Sequence, residues 1–168
     1  LEQAEPVLAR HVQYLPASGQ VLDLACGKGA NALFLAQRGL DVLALDGSAA
    51  GLKLLQKAAE EKNLQARIQT RQADLDHYVL PRASFDLIVV IRYLNRPLFA
   101  SIEAALKPGG VLYYQTFNTE IRHSRPGFNQ DFTIEKDELS NGFPGLEIQL
   151  STTESQHYSL LIGRKPFP

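Results

Sequence analysis

At 168 residues the chain has the size of one domain with a sizeable core. Its 17 basic and 18 acidic residues leave no excess charge for coating nucleic acid or an anionic membrane. Cys26 is the only cysteine, so no intrachain disulfide forms, and no apolar run approaches the roughly 20 residues of a membrane span. The expectation is a single domain over 1–168 in a cytoplasmic protein, monomer or homodimer, with no membrane partner. No signal peptide is visible, but the chain does not begin with Met, so a signal lost upstream stays open.

Ala4, Val7, Leu8, Val12 and Leu15 recur at helical spacing, and Pro16 ends that helix. A short apolar strand follows over 20–25, then a turn through Gly27 and Gly29, then a helix from Ala30 to Arg38 with Gly39 as its C-cap. Residues 41–46 read as a second buried strand. Ser48 can N-cap a helix over 49–62 whose apolar face holds Leu52, Leu55 and Ala59. Alternation of Ala66, Ile68 and Thr70 with polar neighbours predicts a third strand over 65–70, and 73–76 is a turn.

Phe85 to Ile91 is nearly continuous in apolar residues, as a central strand buried on both faces requires. Pro97 starts a helix with Leu98, Ile102, Ala105 and Leu106 inside, and Lys107-Pro108-Gly109-Gly110 stops it. A fifth strand covers 111–117, and residues 118–132 read as a loop. Thr133 caps a short helix that Asn141-Gly142 ends, and strands over 146–152 and 157–164 close the chain. Alternating strands and helices imply a mostly parallel sheet with helices on both faces. Ligands on such sheets sit at the carboxyl ends of the strands.

The stretch Val21-Leu22-Asp23-Leu24-Ala25-Cys26-Gly27-Lys28-Gly29 has the layout of a nucleotide-type cofactor site. Its glycines let the backbone turn tightly and approach a ligand. Asp46 ends the second strand and Asp74 follows the third. A carboxylate in such a place can accept from both hydroxyls of a ribose, and one in the next loop from an amino group.

With these residues the chain resembles the class I S-adenosylmethionine-dependent methyltransferases. The match runs through 21–29, Asp46, Ala73-Asp74, Phe85-Asp86-Leu87-Ile88-Val89-Val90 and Leu106-Lys107-Pro108-Gly109-Gly110-Val111. One position departs from the usual turn: its first glycine is Ala25 here. The resemblance implies a three-layer, doubly wound, Rossmann-like α/β fold with seven strands in the order 3-2-1-4-5-7-6, strand seven antiparallel. It implies S-adenosylmethionine as cofactor and S-adenosylhomocysteine as product. Asp23, with Ala25, Cys26, Gly27 and Gly29, would hold the methionine end. Asp46 would bind the ribose, Gly47 and Ser48 would line the adenine, and Asp74 would accept from its amino group beside Leu75. Ile91 and Arg92 would sit beside the methionine.

Each residue also has a plainer reading. The glycines make an ordinary turn, Asp46 caps the helix after it, and Asp74 is a turn residue. Cys26 reads as a packed turn residue rather than a nucleophile, since no base lies near it in sequence. Lys28 is followed by Gly29-Ala30 rather than by Ser or Thr, which rejects a phosphate loop.

Tyr93 to Phe99 and Phe128 to Phe132 make the chain similar to the tellurite-resistance-type methyltransferases. Tyr93, Arg96, Asn118, His123 and Arg125 follow strands four and five and are the candidate acceptor-binding residues. Such a set suits a small molecule, a metalloid oxyanion or another small anion among them; the plainer reading is solvated loop charge. No catalytic residue is singled out. Four scattered histidines and one cysteine give no metal site. Arg92-Tyr93-Leu94-Asn95 lacks the motif of the amino-directed DNA methyltransferases, so nucleic acid is not the expected partner. The alternatives are an NAD(P)-binding Rossmann module, for which Gly27-x-Gly29-x-x-Ala32 and Asp46 are suitably spaced, and a non-catalytic S-adenosylmethionine-binding partner subunit.

Overall fold

The apolar run Phe85–Ile91 forms β4, the middle strand of a seven-stranded sheet, with six of its seven residues buried. The computed structural model describes residues 6–155 and 157–168. In chain order the other elements are α1 (Pro6–Arg10), β1 (Gln20–Leu24), α2 (Ala30–Gln37), β2 (Asp41–Asp46), α3 (Ala49–Glu61), β3 (Ile68–Gln72), α4 (Phe99–Ala105), β5 (Leu106–Phe117), α5 (Ile121–Ser124), α6 (Glu138–Gly142), β6 (Glu147–Ser155) and β7 (Tyr158–Arg164). The sheet order is β3-β2-β1-β4-β5-β7-β6. β1 to β5 pair in parallel, and β7 runs antiparallel to both β5 and β6. Fold class, strand order and the reversed strand are as the sequence reading expected.

Side chains alternate across the strands and build a core on each face. Val21, Val42, Leu87, Val89 and Tyr113 pack with Ala32, Leu35, Leu55 and Ala59 of α2 and α3. Leu22, Leu45, Ile88, Val90 and Tyr114 pack with Phe99 and Ile102 of α4 and Leu139 of α6. Phe99, Tyr114 and Phe143 form an aromatic cluster with centroids 4.7–5.8 Å apart. Asp23 sits in the row of Val21, on the α2 face, because β1 alternates there. Among the described residues no helix is long and apolar enough to cross a membrane.

Several boundaries differ from the sequence reading. The first helix ends at Arg10, and Val12–Tyr14 forms a separate 3₁₀ turn. The His11 carbonyl between them accepts from the Tyr113 hydroxyl as well as from the Tyr14 amide. Ala4 lies outside the described residues. β3 begins at Ile68 because a turn, with Arg67 N–H donating to Leu64 O at 2.9 Å, occupies the residues before it. β5 begins directly after α4 and absorbs 107–110 through a register shift against β4. Thr133 is the extended C-cap of the 3₁₀ turn at Gln130–Phe132 rather than the N-cap of a helix; Asp137 precedes α6 instead. The 118–132 segment contains α5 and a 3₁₀ turn at Gln130–Phe132.

Candidate active site

The turn after β1 is closed by Cys26 N–H donating to Leu45 O at 2.9 Å and Gly29 N–H donating to Cys26 O at 3.0 Å. Three of its residues have positive φ: Ala25 at 61°, Gly27 at 57° and Gly29 at 84°. A side chain at Gly29 would collide with Leu55 of α3, so glycine is needed there for packing as well as for φ. At Gly27 no atom of the described residues, its two chain neighbours aside, lies within 4 Å of where a Cβ would stand, which leaves the backbone open to a ligand. Ala25 occupies the left-handed region at a cost of about 1 kcal/mol, more than glycine's extra freedom in the unfolded chain. Ala25→Gly should therefore stabilise the protein by about 0.5 kcal/mol, read as a higher denaturant midpoint with unchanged slope. A lower midpoint would contradict this account of the turn.

Asp23 is the most informative group. It is 2% exposed, and its Oδ2 has no hydrogen-bond partner among the described residues. Burial first, and the nearby Asp46 charge second, push its pKa up to about 7, against a hydrogen bond from the Ala32 backbone. A cavity of about 160 Å³ opens beside it, lined by Asp23, residues 25–31, Ile91 and Arg92. A buried carboxyl with one oxygen left without a partner on a cavity wall suits a ligand that carries a cation. Burial, followed by the Asp23 and Asp46 charges, pushes the Cys26 thiol pKa well up, and the side chain packs against the core, which favours a packed turn residue over a thiolate nucleophile.

Asp46 ties the turn to β2. Its Oδ2 accepts from Gly27 N–H at 2.8 Å and its Oδ1 from Ser48 N–H at 2.8 Å. Each oxygen keeps a lone pair for a further donor. Asp46 is thus not merely a helix cap; Ser48 caps α3, accepting from Gly51 N–H at 3.1 Å. Gly51 brings α3 against the turn: a Cβ on it would stand 2.9 Å from Gly27 O.

A more open groove of about 580 Å³ lies at the same edge of the sheet. Gly47, Asp74 and Leu75 line one part; Tyr93, Leu94, Arg96, Pro97 and Phe132 line another. Asp74 is exposed and accepts from His77 Nδ1 at 2.6 Å and Asp76 N–H at 3.1 Å. The His77 contact foremost lowers the Asp74 pKa, and it raises that of His77. At the exit of β4, Arg92 is another non-glycine residue with positive φ, at 55°, and its N–H donates to Gln115 O at 2.7 Å.

The structure does not bring the expected acceptor residues into one place. Tyr93 and Arg96 line the groove with Asp74. Asn118 is buried, accepts from Glu120 N–H at 3.0 Å and lines a separate cavity between α6 and β6. His123 is exposed, pairs with Glu120 at 2.9 Å and lines a third depression. Arg125 is exposed and lines none of these. Arg96 is committed: its guanidinium forks onto the Glu138 carboxylate and donates to Thr133 O at 2.8 Å. Its partner is 42 positions away, beyond the reach of any local pattern.

Sequence reasoning missed Asp76 and Asn95, which hydrogen-bond at 2.9 Å beside the groove. It also missed Gln115, 4% exposed in β5, whose Oε1 has no partner among the described residues. A polar residue within the apolar run 111–117 was the available signal for Gln115. Among the described residues no cluster of three or more His, Cys, Asp or Glu could hold a metal.

Sheet order, reversed seventh strand, glycine turn and acids at the ends of β1 and β2 together define a Rossmann-like α/β protein of the class I methyltransferase type. Comparison gives the particular family: the methyltransferase domain family matches residues 21–110. The chain belongs to that family. A ubiquinone biosynthesis O-methyltransferase of Actinobacillus pleuropneumoniae is 30% identical over 113 residues, covering 61% of this chain and 47% of that protein. The chain thus matches about half the length of this relative.

Among solved structures, an S-adenosylmethionine-dependent methyltransferase of Methanosarcina mazei aligns with TM-score 0.78 at 18% identity, covering 99% of this chain and all of the other. TehB of Haemophilus influenzae aligns with TM-score 0.78 at 19% identity, covering 96% and 62%. The [4+2]-cyclase SpnF aligns with TM-score 0.79 at 18% identity, covering 97% and 79%. These likenesses establish the fold; a cyclase among them illustrates that the fold alone does not set the reaction.

Proposed function

We propose that this chain, as one domain, is an S-adenosylmethionine-dependent methyltransferase acting on a small molecule. The observation that carries the reading is the buried Asp23 carboxyl, whose Oδ2 has no partner among the described residues, beside a glycine turn that Asp46 braces. The residues fit the cofactor. Asp23 would pair with the ammonium of its methionine end, and the open backbone at Gly27 admits close approach. Asp46 would accept from the ribose hydroxyls through its free lone pairs. Gly47, Asp74 and Leu75 would hold the base in the groove, with Ser48 fixing that loop as a helix cap, while Ile91 and Arg92 flank the methionine. The bound cofactor supplies an electrophilic methyl group on a sulfonium.

The protein's contribution is placement of the acceptor. No histidine lines either the groove or the turn cavity. The Asp74 and Asp76 carboxylates do line the groove, and they could take the proton of an acidic ring hydroxyl as its oxygen is methylated. The matched relative is named for O-methylation, which supports an oxygen acceptor. The metalloid-oxyanion reading draws on the Tyr93–Phe99 and Phe128–Phe132 stretches and on the fold shared with TehB. Commitment of Arg96 to Glu138 removes one of the cations that reading relied on.

The test is a screen of small acceptors, ring hydroxyls together with tellurite and selenite, with S-adenosylmethionine and mass-spectrometric detection of product. A methylated ring oxygen is the expected result. Methylated tellurium or selenium would restore the oxyanion reading. S-adenosylhomocysteine binding without any turnover would favour the non-catalytic partner subunit.

A further inference from the structure

We propose that Tyr93 is the specificity-determining hydrogen-bond donor of the groove, presenting its phenolic proton to an oxygen carried on a neutral, apolar ring, with Asn95 and Asp76 as its positioning residues. The proposal rests on the methyltransferase reading and names the class of its acceptor.

The argument is one of proton direction. The Asn95 amide nitrogen has two hydrogens, and both are used: one donates to Asp76 Oδ1 at 2.9 Å, the other to the Tyr93 hydroxyl at 3.0 Å. A carboxylate only accepts, so Asp76 fixes which end of the Asn95 amide faces it. The Tyr93 oxygen is therefore an acceptor toward Asn95, and its own proton is left to donate elsewhere. The loop is held from below as well, since Tyr114 from the aromatic core donates to Tyr93 O at 2.8 Å. A donor with a fixed direction on a groove wall selects for an acceptor atom in the ligand.

The rest of the groove describes what carries that atom. In the part of the groove away from Gly47, Asp74 and Leu75, the residues Leu94, Pro97 and Phe132 supply apolar walls, and Phe132 is 56% exposed. Asp74 and Asp76 bring negative charge, and the guanidinium of Arg96 already pairs with Glu138. An anion is disfavoured there, while a flat apolar ring with a hydroxyl or carbonyl gains both burial and the hydrogen bond.

The test uses 1-naphthol and naphthalene as probes, titrated by fluorescence into protein saturated with S-adenosylhomocysteine. Wild type should bind 1-naphthol about tenfold more tightly than naphthalene, the difference one buried hydrogen bond makes. In Tyr93→Phe the two probes should bind alike, with S-adenosylhomocysteine affinity unchanged. Asn95→Ala should lose much of the same preference in the wild-type background and nothing further in Tyr93→Phe, because it acts through Tyr93. Equal binding of the probes by wild type would overturn the proposal. So would a preference that survives in Tyr93→Phe, or a parallel loss of S-adenosylhomocysteine, which would place Tyr93 at the cofactor. Failure of wild type to bind S-adenosylhomocysteine at all would instead sink the methyltransferase reading itself.

Discussion

Asp46→Ala should weaken S-adenosylhomocysteine binding by about a hundredfold, read by calorimetry. Two losses combine. The ribose hydroxyls lose a charged acceptor, and hydrogen bonds to charged groups contribute about 1.5–3 kcal/mol each. The turn also loses its brace, because Asp46 holds Gly27 N–H and Ser48 N–H at 2.8 Å apiece. Asp46→Asn keeps the shape and should lose less. Removal of Asp46 also takes away a charge that raises the Asp23 pKa, so the pH dependence of the remaining affinity should move to lower pH. Unchanged affinity in Asp46→Ala would remove this residue from the site.

Asp23→Asn should act in opposite directions on stability and on binding. The folded-state pKa of Asp23 is raised from 3.8 to about 7, so between these values the folded protein holds a proton the unfolded chain has released. Stability from this group is thus lost as pH rises through that window and is constant above it. Asparagine removes the buried charge. The ligand-free variant should exceed wild type by about 2–4 kcal/mol at pH 8, and the gap should close toward pH 4. Binding behaves otherwise. Wild-type affinity for S-adenosylhomocysteine should rise with pH up to about 7, as Asp23 ionises to meet the ligand's ammonium. Asp23→Asn should bind at least tenfold more weakly with a flatter pH profile. A destabilised variant with intact affinity would show that Asp23 is a packing residue.

The same carboxyl separates the two cofactor readings. In a nicotinamide module a pyrophosphate would approach the glycine turn, where a buried acid repels it. A cationic methionine end meets Asp23 favourably instead.

The fold was legible because its signals are local and periodic. The continuous apolar run 85–91 marks a strand covered on both faces, and the 21–29 stretch carries strand, turn and helix start together. Asp23, Asp46 and Gly27 were legible for the same reason: strand ends deliver them to one edge of the sheet. The boundaries that moved were decided by distant groups. Tyr113, from β5, reaches the His11 carbonyl, and the guanidinium of Arg67, ahead of β3, donates to Gly39 O and to Asp41 Oδ1. The acceptor side was least legible. Arg96 read as a free cation until Glu138, from α6, was seen to occupy it. His123 and Asn118 follow the same strand, yet line different cavities. Loop residues acquire their partners from tertiary packing, and no spacing in the sequence reports it.

Calorimetric titration of the folded protein at pH 8 with S-adenosylhomocysteine and, separately, with NAD tests the central claim most directly. Saturable one-to-one binding of S-adenosylhomocysteine, with no heat from NAD, is the predicted result; NAD binding more tightly, or a folded protein that binds no S-adenosylhomocysteine, would contradict it.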